Sequence, residues 1–128
     1  MKELGKHIIL ELFGCDVKAL DDLKGIAETM RKSAEEAGAR IVGEAFHKFN
    51  PQGVSGVVII AESHISIHTW PEFGYAAVDI FTCSTNVNPS NSTNVNPSKA
   101  YKRIIEYFKP KTMSLMEVKR GLLMGDKI

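Results

Sequence analysis

Between Val54 and Cys83 the chain carries three β-rich runs almost without pause, and that density decides most of what it can fold into. Val54 to Ile60, Ser63 to Trp70 and Tyr75 to Cys83 are parted only by short breaks, a spacing that predicts adjacent antiparallel strands. Upstream, His7 to Phe13 is apolar on both parities, with His7, Ile9, Glu11 and Phe13 on one face and Ile8, Leu10 and Leu12 on the other, which predicts a central strand. Arg40 to Phe49 returns to strand character before the breaker pair Asn50 and Pro51, and Thr112 to Lys119 predicts one more strand after Pro110.

Two segments follow the helical period instead. Asp21 and Asp22 precede Leu23, Ile26, Ala27, Met30, Ala34 and Ala37, and Gly38 ends the run, so cap, period and stop agree. Asn96 and Pro97 supply the cap and first residue of a second helix, Ser98 to Phe108, with Ala100, Ile104, Ile105 and Phe108 turned inward and Lys99, Lys102 and Arg103 solvated. Before it, Ser84 to Asn91 is repeated by Ser92 to Ser98, a tandem Asn/Ser/Thr/Pro tract too polar to bury and expected to form a mobile surface loop.

The order β-α-β-β-β-β-α-β packs most simply as an α+β two-layer sandwich, a mainly antiparallel sheet with two helices on one face. At 128 residues the chain suits a single domain. The other face of the sheet then lacks a cover, and the same face of a second copy is the simplest one, giving a homodimer.

Charge narrows the partners. Sixteen Lys and Arg against fifteen Asp and Glu leave a formal charge of +1, too weak a field to gather nucleic acid or anionic lipid. No stretch approaches the ~18 apolar residues that span a membrane, and the first fifteen residues lack a signal-peptide pattern, so a cytoplasmic protein is expected. Cys15 and Cys83 are the only cysteines; no disulfide framework is needed, and Cys15 reads as a small apolar residue closing a strand.

Ala61 to Trp70 places three hydroxyls and two imidazoles within ten residues of an otherwise apolar region. On a helix, His64 and His68 could share a zinc ion, but on a strand rising about 3.3 Å per residue they lie roughly 13 Å apart, so no metal is expected. Ser63 lacks the flanking glycines of a hydrolase nucleophile elbow. From spacing alone, a sheet edge whose Ser and His side chains merely bond their neighbours remains open.

The run from Phe46 to Cys83 carries more than spacing. Its motifs are Phe46-His47-Lys48-Phe49, Gly53-Val54-Ser55-Gly56, Glu62-Ser63-His64, His68-Thr69-Trp70-Pro71-Glu72, Gly74-Tyr75 and Asp79-Ile80-Phe81-Thr82-Cys83. Together they resemble the prokaryotic S-adenosylmethionine decarboxylases, and the likeness extends more weakly to Gly5, His7, the first helix and Asn96-Pro97 with Lys99-Ala100. The doubled Asn/Pro tract and the short tail depart from that pattern without touching the chemical residues.

The resemblance implies a definite chemistry. Decarboxylating an amino acid leaves a carbanion that needs a conjugated electron sink, which no side chain supplies. Members of this family make one from their own serine: the Ser63 oxygen attacks the Glu62 carbonyl, the resulting ester eliminates, and the dehydroalanine hydrolyses to a pyruvoyl group that forms a Schiff base with the substrate amine. Residues 1–62 then become a β chain and 63–128 an α chain. Carried over residue by residue, His68 is the base for the Ser63 α-proton and Ser55 the hydroxyl that steadies the tetrahedral intermediate. Cys83 is the proton donor to the decarboxylated substrate, and Glu72 holds the ribose hydroxyls. Phe49 is either an aromatic wall for the adenine or sulfonium, or an ordinary packing residue. The product of this family is an aminopropyl donor for spermidine synthesis, and its members are homodimers with sites near the junction of the two sheets. Two other readings remain: a pyruvoyl-dependent arginine decarboxylase of the same fold, and a non-catalytic ligand-sensing dimer whose chain stays whole.

Overall fold

Alternation along the strands, apart from an irregularity of register between Ile41 and Gly43, sorts each side chain to one face of the sheet. A computed structural model describes residues 3–83 and 95–123. In β1 (Gly5–Phe13) Ile8, Leu10 and Leu12 are buried, whereas His7, Ile9 and Glu11 are half-buried and Phe13 is exposed on the opposite face. After the short helix α1 (Val17–Leu20) come α2 (Leu23–Glu36), β2 (Arg40–Lys48), β3 (Val54–Ala61), β4 (Ser63–Trp70), a 3-10 turn (Pro71–Phe73) and β5 (Tyr75–Cys83). Then come α3 (Pro97–Phe108) and β6 (Thr112–Arg120). The six strands form one sheet in the order β2-β3-β4-β5-β1-β6, and every neighbouring pair is antiparallel.

The helices stand where their caps predict. Asp22 accepts a hydrogen bond from the Gly25 N–H at the start of α2, and Asn96 accepts one from the Ser98 N–H at the start of α3. Ile26, Met30 and Ala34 of α2 and Ala100, Ile104 and Phe108 of α3 face inward and are buried in one core with Leu10, Leu12, Ile65, Ile67, Val78 and Ile80. Burying each of the larger side chains contributes about 1.5–3 kcal/mol, so this layer is the main source of stability. Two surface ion pairs, Arg31 with Glu44 and Arg103 with Glu36, join α2 to β2 and to α3; as exposed pairs they set orientation more than stability.

Two expectations change, and one element is new. The strand His7 to Phe13 is interior but not central: β5 lies on one side and the edge strand β6 on the other. It reads as apolar on both parities because Ile9 and Phe13 belong to the open face. Arg103 is not simply solvated but paired to α2. The helix α1 has no counterpart in the sequence reading, since four residues are too few to show a period; its signal is Asp16, whose carboxylate accepts from the Lys18 N–H. The tandem tract from Ser84 to Asn94 lies outside the described residues.

Among the described residues, helices cover only one face of the sheet. The other carries Phe13, Ile59, Trp70 and Met116, all 39–60% exposed, beside half-buried Val57, Tyr75 and Phe81. β2 is held close to β3 at Gly56, where an added Cβ would sit 2.1 Å from the Phe46 ring lying across the strand, so only glycine fits.

Candidate active site

Register fixes where the chemical residues stand. β3 and β4 are joined through Glu62 alone, and Ile60 pairs with Ser63 across the turn. Ser63 has φ = 153°, outside the regions open to a residue with a side chain, a strain of the order of 1–3 kcal/mol stored at the 62–63 linkage. Cys83, the last residue of β5, donates from its thiol to the Glu62 carbonyl at 3.0 Å, and the Ser63 hydroxyl lies 3.6 Å from the same sulfur. A donor on that oxygen draws electrons from the carbonyl carbon, and the neighbouring serine hydroxyl is of a type able to attack such a carbon. These three residues form the first cluster.

The second cluster lies at the other end of β4. Ser55 and His68 are direct cross-strand partners, and the Ser55 hydroxyl and His68 Nδ1 are 2.7 Å apart. They border two hollows on the sheet. One, of about 290 Å³, is also lined by Phe49, Gln52, Trp70 and Glu72; the other, of about 320 Å³, is lined by Ala45, His47, Val57 and Ser66. Phe49 is 48% exposed, its ring edge-on to His47 at 4.7 Å, which sets it at the hollow and not in the core. Glu72 is exposed on the 3-10 turn, which Gly74 ends in a left-handed conformation at φ = 62°.

The chain therefore brings Ser63, Glu62 and Cys83 together, and brings Ser55, His68, Glu72 and Phe49 together, but holds the groups apart. Five residues of strand separate Ser63 from His68, about 16 Å at the usual rise. Within one chain the imidazole cannot reach the Ser63 α-proton.

Two polar pairs on the open face have no counterpart in the sequence reading. His7 Nε2 lies 2.9 Å from Asp79 Oδ1, and the Tyr75 hydroxyl donates to both Glu11 oxygens, at 2.6 and 2.7 Å. Burial, with Glu11 adding to it, pushes the Tyr75 phenol up to about 12. The signal lay in the antiparallel register, which sets β1 against β5, and that register is not written in either strand alone.

The cysteines separate cleanly. Cys15 is buried, and burial pushes its thiol up to about 11, while Cys83 is exposed. Iodoacetamide applied near neutral pH to the native protein should modify Cys83 and spare Cys15, as read by peptide mass mapping; modification of Cys15 would contradict this placement. Among the described residues no group of three or more His, Cys, Asp or Glu side chains could hold a metal ion, and no helix is long and apolar enough to cross a membrane.

Known proteins resemble this chain along nearly its whole length. The family model for S-adenosylmethionine decarboxylase matches residues 6–121. A protein of Acetivibrio thermocellus called S-adenosylmethionine decarboxylase proenzyme is 52% identical over 122 residues, covering 95% of this chain and 92% of that one. One of the same name from Methanococcus maripaludis strain C7 is 46% identical over 128 residues, covering 100% and 98%. The crystal structure of the adenosylmethionine decarboxylase of Aquifex aeolicus superposes with a TM-score of 0.82 at 35% identity, covering 100% of this chain and 99% of that one.

Proposed function

Because the chain belongs to the S-adenosylmethionine decarboxylase family, we propose that it is a proenzyme that cuts itself between Glu62 and Ser63 and then decarboxylates S-adenosylmethionine. The observation that carries this is the hairpin tip, where a strained serine, the preceding carbonyl and a thiol donating into it occupy one turn.

The self-cleavage follows from those groups. The Ser63 oxygen attacks the Glu62 carbonyl carbon, the C–N bond breaks, and the amide becomes an ester with a free amine. The Cys83 thiol, already on the carbonyl oxygen, steadies the charge that develops there. Removal of the Ser63 α-proton then expels the Glu62 carboxylate. The dehydroalanine that remains takes up water and releases ammonia, leaving a pyruvoyl group at residue 63. That group supplies the electron sink for the carbanion left by the departing carbon dioxide. Cys83, beside residue 63, is placed to return a proton to the substrate carbon, so one thiol serves both stages.

The base for the α-proton comes from a second copy. Two open faces laid together about a two-fold axis bury Trp70, Ile59 and Phe13 and bring the partner's His68 and the partner's Ser55 to the Ser63 turn. Each dimer then holds two sites, with Glu72 and Phe49 of one protomer binding the ribose and adenine of a substrate that reacts on the other. A ring face also attracts the sulfonium. The product is the aminopropyl donor of spermidine synthesis, and the enzyme works in the cytoplasm.

An arginine decarboxylase of the same fold would share the hairpin tip, and a carboxylate beside aromatic rings would suit a guanidinium as well as a ribose; what favours S-adenosylmethionine is the full-length likeness to proteins called S-adenosylmethionine decarboxylase proenzyme. Assay with carboxyl-labelled substrates decides between them. Labelled carbon dioxide from S-adenosylmethionine and none from arginine is expected; the reverse would overturn the substrate assignment.

A further inference from the structure

The hollow between Phe49 and Glu72 is built from two surface turns, and both are tied to the same short segment around α1. On one side the loop from Phe49 to Gly53 closes on itself, with the Phe49 N–H donating to the Gly53 carbonyl at 2.8 Å. The Gly53 N–H is buried and points away from that loop to Asp21 Oδ1, 2.9 Å away. Asp21 Oδ2 lies 3.4 Å from the Lys48 ammonium, at the end of β2 just before Phe49. One carboxylate therefore holds both ends of the loop that carries Phe49.

The next residues lock the same joint. The Thr69 hydroxyl is buried, accepts from the Val54 N–H at 2.8 Å and donates to the Leu20 carbonyl at 2.7 Å, which fixes the base of β3 and the end of β4 to α1. On the other side, the Cys15 N–H donates to the Gly74 carbonyl at 2.9 Å, which secures the turn that bears Glu72. The segment from Cys15 to Asp21 is thus a bracket spanning the two halves of the hollow.

We infer that Asp21 is a positioning residue for the substrate, setting Phe49 at its distance from Glu72 by clamping the Phe49–Gly53 loop to the end of α1. The inference rests on the reading of Phe49 and Glu72 as substrate residues and goes beyond it, since Asp21 touches neither the substrate nor the reacting atoms. The Gly53 N–H, with Lys48 adding to it, holds the Asp21 carboxyl below the usual carboxylate range, so the clamp is charged near neutral pH. Of its two bonds, the one to Gly53 matters more: it satisfies a buried N–H, whereas the pair with Lys48 is exposed to solvent and screened.

Three variants test this: Asp21→Ala, Asp21→Asn and Phe49→Ala. Asp21 bonds Gly53 and Lys48, whereas Ser55 and His68 are held by their own bond across β3 and β4, so Asp21→Ala should cut itself fully and keep kcat within about twofold, while KM for S-adenosylmethionine rises about tenfold as the loop drifts. Asparagine retains an acceptor for the Gly53 N–H, and Asp21→Asn should restore KM to within about threefold of the parent. Phe49→Ala should raise KM whether or not Asp21 acts through it. An unchanged KM in Asp21→Ala beside a raised one in Phe49→Ala would overturn the clamp and leave the substrate hollow standing. An unchanged KM in both would remove the hollow and the clamp together. Equal defects in the two Asp21 variants, or a joint loss of cleavage, kcat and thermal stability in Asp21→Ala, would show a different or merely structural role.

Discussion

Replacing Ser63 with alanine should leave a folded, full-length chain with no measurable decarboxylation. In the proposed self-cleavage the hydroxyl supplies both the nucleophile that attacks the Glu62 carbonyl and the oxygen of the ester that follows, and alanine has neither. The Ser63 side chain is only part-buried, and its contact is a long one to Cys83, so its loss should alter stability by about 1 kcal/mol or less. The effect on turnover is of another order: enzymes gain about 10⁶-fold or more over the uncatalysed reaction, and a chain without its electron sink forfeits nearly all of that gain. Electrophoresis under denaturing conditions and a carbon dioxide release assay read the two halves of the prediction. Turnover by Ser63→Ala, or cleavage at the same bond, would contradict it.

Co-expressing Ser63→Ala with His68→Ala should restore activity that neither variant has alone. The strand distance between the two clusters makes this a sharp expectation. If the partner's His68 serves Ser63, a mixed dimer has one site with both defects and one with none. Random assortment makes about half of the dimers mixed, so about a quarter of wild-type activity should return, and about half of the His68→Ala chains should be cut. Both copies must be made together, since the cut precedes catalysis. If Ser63 and His68 acted within one chain, no mixture would work and the recovered activity would be nil. Persistence of activity in a monomer isolated by dilution would contradict the shared site in the same way.

How much of this could be read from the sequence depends on how local each signal is. β3, β4 and β5 were legible nearly to the residue, because each is a β-rich run and the turns between them are too short for anything but hairpins. α2 and α3 were legible from Asp22 and Asn96 as caps and from the spacing of Ile26, Met30, Ile104 and Phe108. The place of β1 between β5 and β6 was not, since an apolar strand reads alike in the middle of a sheet and one step from its edge. The α1 bracket was hidden for the opposite reason, being too short to carry a period at all.

The site divides the same way. The residue types of Glu62-Ser63-His64 and the family likeness named the chemical groups, yet gave no account of their distances. That Ser55 and His68 bond across β3 and β4, and that Ser63 lies five residues away, follows only once the register is known. Asp21 and Gly53 stand 32 positions apart, and no local pattern in either marks the bond between them.

Everything in the account depends on the backbone at residue 63 rearranging into a new chain terminus. The direct test is the intact mass of the purified wild-type protein under denaturing conditions. Two species are expected, one of residues 1–62 with a free carboxyl end and one of residues 63–128 lighter than its sequence by the conversion of serine to pyruvoyl and closed to amino-terminal sequencing. A single species with the mass of the uncut chain, unchanged after long incubation, would contradict it.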